Sequence, residues 1–179
     1  PYRYNTWVHG AANAIARNIS KLPMMIAVKD NPTESIDDRW GIINRLSRPN
    51  KLMTRTPFID SIILNLLLPP NDDNDPGGQC FLLPSNGLSK LKGNKVNLLM
   101  GVVPDVFFPY NSDYIKAHYS PERQGMAQVD GWMFEIPGKK ASQLLYEHNE
   151  LIRIYQTNPK NWLKGLSNYE PARIAMTQD

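Results

Sequence analysis

Pro104-Asp105, Glu135 and Lys139 are the residues of this chain whose types and order come nearest to a reacting centre. Two carboxylates and a lysine can hold a magnesium ion and steady a phosphate, the apparatus of a nuclease. Here the step from glutamate to lysine is longer than that apparatus uses, so the set is a poor match. The acidic loop "NDDNDPGG" (Asn71 to Gly78) raises calcium instead. Counting from Asp72 puts Gly77 in the required sixth place. Pro76 then takes a ligand position, and Leu83 stands where a bidentate glutamate belongs. A solvated turn is the better reading.

Other routes to chemistry fare no better. Gly87, Gly93 and Gly101 lie near lysines, yet no Gly-Lys-Ser or Gly-Lys-Thr follows a glycine loop, so a phosphate-cradling P-loop is absent. His9, His118 and His148 are far apart and lack a close histidine or cysteine to share a metal. His148, with Glu147 and Glu150, reads as a surface turn. Nothing around Cys80 or the serines marks an activated nucleophile. The expectation is a chain that is not an enzyme, with no catalytic, cofactor-binding or metal-binding residue and no cofactor.

Two basic groups remain. Arg45, Arg48, Lys51 and Arg55 gather in the 45–55 stretch, and Lys90, Lys92 and Lys95 in the 90–95 stretch. Either can touch phosphates or an acidic neighbour. Ordinary mixed surface charge accounts for both more simply. The net charge of +3 and pI near 9.0 permit attraction to nucleic acid without requiring it. Cys80 is alone, so no internal disulfide is available and a reducing setting is the simplest expectation. The apolar run Ile62 to Leu68 is too short for a membrane helix, which needs about 20 residues. No secretory signal opens the chain. The start at Pro1 and the end at Asp179, inside a helical pattern, lead us to expect a fragment of a longer polypeptide.

The elements that would position these residues are well signalled. From Trp7 to Leu22, Val8, Ala11, Ala12, Ile15, Ile19 and Leu22 recur at three- and four-residue spacing. They predict a helix with that face buried and Asn13, Arg17, Asn18 and Lys21 outside. Pro23 stops it, and "MMIAVK" (Met24 to Lys29) predicts a short strand ending in an Asp30-Asn31-Pro32 turn. A second helix is expected over 38–47, capped by Asp37 or Asp38, with Trp40, Ile43 and Leu46 as its apolar face.

The third helix, in "SRPNKLMTRTPFIDSIILNLLLPP", carries the clearest signals. Thr56 suits the cap, Pro57 the first helical position and Asp60 the first turn. Ile59, Ile62, Ile63, Leu66 and Leu67 form its stripe, and Pro69-Pro70 end it. The expected core is Ile15, Ile19, Ile43, Leu46, Phe58, Ile62, Ile63 and Leu66, so Ile63→Asp is expected to destroy folding. The period then shortens. Strands are expected at "QCFLLP" (79–84), 96–103, 131–136 and 151–156, and the polar stretch from Pro109 to Asp130 is expected to be a loop or hairpin excursion. Ser167 to Glu170 has the spacing of a capping box, and Pro171 favours Asn168 as the cap of a final helix. The 15 prolines sit mostly between elements and argue for short elements joined by stiff turns. The fold class expected is α+β, with mixed helices packed on short, mostly antiparallel strands.

The order of these segments resembles the N-terminal wing region of tailed-bacteriophage portal proteins. The resemblance rests on an alanine-rich helix ending at Leu22-Pro23, the Arg48-Pro49-Asn50 turn, and Met53-Thr54 leading into a helix with Phe58. A strand at "GQCFLLP" and Gly165-Leu166-Ser167 opening a last helix complete it. It departs from the family in "PPNDDNDPGGQC" after the central helix and in Asn168 directly after the Gly-Leu-Ser step. The resemblance implies that residues 1–179 are one wing region, with helices mainly in 7–68, strands in 79–156 and a long helix starting near 168–179. It also implies a structural subunit of a ring, typically of twelve copies, at a capsid vertex, through which the genome is packaged and ejected. The implied partners are the terminase motor, the major capsid protein, head-tail connector proteins and double-stranded DNA in the channel, with no membrane. The implied location is the virion, and the host cytoplasm during assembly. A nuclease-like domain or a basic DNA-binding module is the alternative.

Overall fold

Strand β3 (Gln79–Ser85) is buried at all seven positions, and the other elements are arranged to cover it. Successive strand residues point to opposite faces, so a strand buried throughout has cover on both sides. A computed structural model describes residues 6–28, 30–38, 41–70, 75–85, 104–119, 129–135 and 143–170. Around β3 it places α1 (Thr6–Ser20), β1 (Ala27–Val28), β2 (Asn31–Ser35), α2 (Ile42–Ser47) and α3 (Arg55–Leu67). Next come β4 (Val106–Tyr110), β5 (Ile115–Tyr119), β6 (Val129–Glu135), β7 (Gln143–Tyr146) and β8 (Ile152–Tyr155). This is the α+β class expected, and every strand pair among the described residues is antiparallel.

The result is three layers. Sheet β4-β3-β8 lies in the middle, and sheet β5-β6-β7 is the second sheet. Phe81 and Leu83 of β3 pack with Ile115, Trp132, Phe134, Tyr146 and Leu151 on the second-sheet side. Cys80 and Leu82 face the other way, into Phe58 and Ile62 of α3, with Leu46, Met53, Ile59, Leu66, Phe107 and Ile154 around them. Burying each large apolar side chain contributes about 1.5–3 kcal/mol, so these two clusters dominate the stability.

Helix α3 is the packing element the sequence signals. Phe58, Ile62 and Leu67 are buried; Ile59, Ile63 and Leu66 are half-buried. Its start is earlier than expected. Thr54 is the cap residue, without a side-chain bond to the helix, and Pro57 sits in the first turn, where it has no amide bond to lose. Asp60 therefore falls beyond the first turn, and its Oδ1 is buried without a hydrogen-bond partner.

Helix α1 differs from expectation in its face. Val8, Ala12, Ala16 and Ser20 are buried, whereas Ala11, Ile15, Ile19 and Leu22 are exposed. The buried set is an i, i+4 row of mostly small residues packed on α3. Small side chains let two helix backbones approach closely, and that gain selects the row over its bulkier neighbour.

Three further expectations are corrected or narrowed. The Asp30-Asn31-Pro32 turn runs directly into β2, which pairs with β1. Helix α2 spans only Ile42–Ser47 and its cap residue is Gly41 at φ 63°, not Asp37 or Asp38; Asp38 still serves the helix start, its two carboxylate oxygens accepting from the amides of Ile42 and Ile43, each at 2.7 Å. Of the stretch after Pro109, Tyr110 ends β4 and Ile115–Tyr119 is a strand paired antiparallel with β6, the hairpin alternative rather than a loop, while residues 120–128 lie outside the described residues. Strands β4 and β7 have no counterpart in the sequence reading. The expected strand at 96–103, Trp40 and residues 171–179 lie outside the described residues.

Candidate functional site

The residues expected to bear on chemistry are dispersed. Asp105 is exposed beside β4, with an oxygen 3.6 Å from Nη1 of Arg45. Glu135 ends β6 in the other sheet, its amide donating to the carbonyl oxygen of Tyr114 at 2.7 Å. Lys139 lies outside the described residues. Of the acidic loop, Asp75 uses Oδ1 to accept the amide of Gly77 at 2.9 Å, and residues 71–74 lie outside the described set. Among the described residues no three His, Cys, Asp or Glu side chains come together as a metal site.

Cys80 is fully buried, and Asn65 Nδ2 donates to its sulfur at 3.6 Å. Burial pushes its thiol up to about 11, against smaller lowering by Asn65 and the backbone of Tyr110. A thiol held neutral in this way is packing material rather than a nucleophile. His148 lies in the turn expected for it and bridges two groups. Trp132 Nε1 donates to its Nδ1 at 3.2 Å, and its Nε2 lies 2.9 Å from the carbonyl oxygen of Val129. Because an indole can only donate, Nε2 carries the ring proton and donates to Val129.

The basic cluster at 45–55 divides. Arg45 donates to the carbonyl oxygen of Pro104 at 2.9 Å, and Arg55 to that of Ser20 at 3.3 Å, so both tie elements of their own fold together. Arg48 and Lys51 are exposed. Lys90, Lys92 and Lys95 lie outside the described residues.

What the fold does build is a pair of polar junctions, one at each end of α3. In the first, Asn50, only 3% exposed, accepts the amides of Leu52 and Met53 on Oδ1, each at 2.9 Å. Its Nδ2 donates to the carbonyl oxygen of Phe107 at 2.8 Å, while the amide of Phe107 donates to that of Pro49 at 2.8 Å. The Arg48-Pro49-Asn50 turn thus satisfies both backbone groups of one β4 residue and sets the start of α3.

In the second junction, Gly77 and Gly78 have φ of 71° and 73°. A Cβ on Gly78 would lie 2.4 Å from the Leu166 carbonyl carbon, and one on Gly165 would lie 2.2 Å from the Gly78 oxygen. Backbone therefore meets backbone, which only glycine permits. Ser167 donates through Oγ to the carbonyl oxygen of Leu67 and through its amide to that of Pro76. Asn158 Nδ2 donates to the Gly165 oxygen at 3.1 Å. Ser167 Oγ also accepts the amide of Tyr169, and helical geometry begins at Glu170, one residue later than an Asn168 cap gives. The Gly-Gly pair and Gly165 were visible in the sequence; their contact was not.

The surface feature missed entirely is Arg153. Its guanidinium lies 4.9 Å from the Trp132 ring centroid and 4.2 Å from that of Tyr155. It donates to Gln79 Oε1 through Nε and Nη2, and to the carbonyl oxygen of Trp162 through Nη1. Burial lowers its ordinary pKa, with Tyr155 and Asp75 pulling the other way. Beside this column lies an open cavity of about 210 Å³, with Gln79, Ile115, Trp132, Asn161, Leu163 and Lys164 in its wall.

No protein-family model matches the chain, and no curated protein matches it significantly. Among solved structures, the fold is similar to a chain in the neck of a native GTA particle, computed with C12 symmetry, with a TM-score of 0.61 and 16% identity over 95% of this chain. It is likewise similar to a chain in the neck of an empty GTA particle, computed with C6 symmetry, with a TM-score of 0.63 and 16% identity over 95% of this chain. The present chain spans 37% and 38% of the lengths of those chains.

Proposed function

We propose that this chain is the wing region of a portal subunit in a phage-like particle, one copy in a homo-oligomeric ring at the capsid vertex. The observation that carries this is the extent of the fold agreement. Nearly the whole chain aligns with components of symmetric neck assemblies, and 16% identity makes the likeness one of fold. The order of sequence motifs supports it independently, and two of those motifs sit at the polar junctions. Arg48-Pro49-Asn50 fastens α3 to β4, and Gly165-Leu166-Ser167 fastens the last described segment to the end of α3.

On this reading the chain works mechanically and hydrolyses nothing. It positions neighbouring copies and the major capsid protein, while the terminase motor, the connector proteins and the DNA in the channel are met mostly by later parts of the polypeptide. Packaging and ejection of the genome are the activities of the assembled ring, in a virion built in the host cytoplasm.

Negative-stain images of the full-length protein test the reading. The expected result is closed rings, typically with twelve subunits in symmetric class averages. A protein that stays monomeric at high concentration overturns it. Magnesium-dependent DNA cleavage that disappears in Asp105→Ala and Glu135→Ala would replace it with the nuclease reading.

A further inference from the structure

Helix α1 turns its bulkiest apolar residues outward. Trp7, Ala11, Ile15, Ile19 and Leu22 follow one another at steps of four, four, four and three, forming a ridge beside the buried small-residue row. Trp7 is 88% exposed, Ile15 43% and Leu22 60%, and Met25 just beyond is 60% exposed. A surface helix ordinarily buries its large apolar residues and shows its small or polar ones. A contiguous apolar ridge of this kind marks a contact surface.

A second surface of interface composition lies elsewhere. Tyr155 is 50% exposed with its ring against the Arg153 guanidinium, which is fixed by Gln79, and Trp162, 67% exposed, meets the same guanidinium through its main-chain carbonyl oxygen. Tyrosine, tryptophan and arginine dominate binding energy where proteins meet, and a pre-fixed arginine loses little freedom on binding.

The placement of the two surfaces fits one kind of occupant, a neighbouring copy of the chain. Ile154 packs with the α3-side cluster, so its strand neighbours Arg153 and Tyr155 face the opposite side of sheet β4-β3-β8. The contact of Arg153 with Trp132 of the second sheet agrees. Helix α1 lies on the α3 side. The chain thus carries two unlike apolar surfaces on opposite sides of its middle layer. A two-fold dimer uses one patch twice; a closed ring needs two different patches that mate head to tail.

We infer that the α1 ridge of one subunit docks on the Arg153–Tyr155–Trp162 face of the next, forming a seam of the ring. The inference rests on the ring reading above and adds to it the two surfaces that meet. Trp7, Ile15 and Leu22 supply the apolar knobs. Tyr155 and Trp162 supply exposed aromatic surface, and the cavity lined by Gln79, Trp132, Asn161 and Leu163 gives room for one inserted side chain.

Cysteine cross-linking in the full-length protein tests this, with buried Cys80 as a silent background. Single variants Ile15→Cys and Trp162→Cys and the double variant are oxidised with copper-phenanthroline and resolved by mass under non-reducing conditions. The double variant should give a ladder rising by one subunit at a time, with at least ten times the cross-linked fraction of either single variant. Ile15→Cys alone forming dimers equally well overturns the inference, because α1 then meets α1. Rings on images without a ladder, in this pair or in Leu22→Cys with Tyr155→Cys, also overturn the seam while the ring reading stands. Absence of both rings and ladder overturns both. Each single variant should keep the parental melting temperature, and a pair that does not is replaced by the other.

Discussion

Ser167 Oγ donates a hydrogen bond to the carbonyl oxygen of Leu67, one hundred residues earlier in the chain and the last residue of α3. A helix leaves its final carbonyls without partners inside the helix, and this one is buried. The same serine holds Pro76 through its amide and accepts the amide of Tyr169. One side chain and its backbone thus join the end of the packing helix, the lead-in to β3 and the start of the last helical turn.

Removing the hydroxyl in Ser167→Ala strands the Leu67 carbonyl, and urea denaturation should show a loss of about 1–3 kcal/mol. Gly78→Ala should cost more, since its Cβ would lie 2.4 Å from Leu166 and its φ of 73° disfavours a side chain. The control is Gly10→Ala in α1, where nothing lies within 4 Å. There the substitution should stabilise by about 0.5–1 kcal/mol, through helix propensity alone. Equal effects at Gly78 and Gly10 would remove the junction from the account.

Asn50 carries three hydrogen bonds in a buried turn, two accepted and one donated. Asn50→Ala should lower stability by about 2–4 kcal/mol, because the Phe107 carbonyl and two amides lose their partner. Asn50→Asp keeps the two accepted bonds but sets a carboxylate against the Phe107 oxygen, so it should be no better tolerated at neutral pH. Denaturation midpoints of the two variants, measured side by side, decide this.

The buried and exposed faces of the helical layer should respond unequally. Ile62→Ala leaves a cavity between α3 and β3, with an expected loss of about 2–5 kcal/mol. Ile62→Asp should be worse than the Ile63→Asp expected from the sequence, since Ile63 is only half-buried. Ala12→Leu overfills the α1–α3 contact and should cost about 1–3 kcal/mol, whereas Ile15→Ala on the exposed ridge should stay within about 0.5 kcal/mol. Thermal unfolding of the five alanine, leucine and aspartate variants at Ile62, Ile63, Ala12 and Ile15 measures the ranking, and a costly Ile15→Ala would reverse the assignment of faces.

These elements also show what the sequence could reveal. Helix α3 was legible because proline, stripe and stop agree, although its cap is Thr54 and not the expected Thr56, and β3 because a short apolar run preceded by a glycine pair reads as a strand. The face of α1 was not. Both its stripes fit helical spacing, and hydrophobicity favours Ile15 and Ile19, but the choice was made by how closely Ala12 and Ala16 let α3 approach. Strand β7 is four residues long and β4 follows a proline, so each gives too little period to recognise. The Arg153 column joins residues from β3, β6, β8 and the 158–164 turn, and its partners are chosen by sheet register. No spacing along the chain encodes that.

Cys80 makes the last expectation. Its thiol is raised from the ordinary 9.0 to about 11, chiefly by burial, so the folded state holds the proton more tightly than the unfolded chain. A group raised in this way gives its full stability below pH 9, where both states are protonated. Between pH 9 and 11 the unfolded thiol ionises while the folded one does not, so stability falls with rising pH, by on the order of 2–3 kcal/mol. Tyr110 and Tyr146 are also raised, mainly by burial, and add to the alkaline loss in the same direction. Urea midpoints from pH 8 to 11 should therefore decline, and Cys80→Ala should decline less steeply even though it is less stable at pH 8. In the folded wild type the thiol should resist iodoacetamide at pH 8 and react fully once urea unfolds it. Alkylation at the rate of a free cysteine under native conditions would mean that β3 is not the doubly covered strand on which the layers depend.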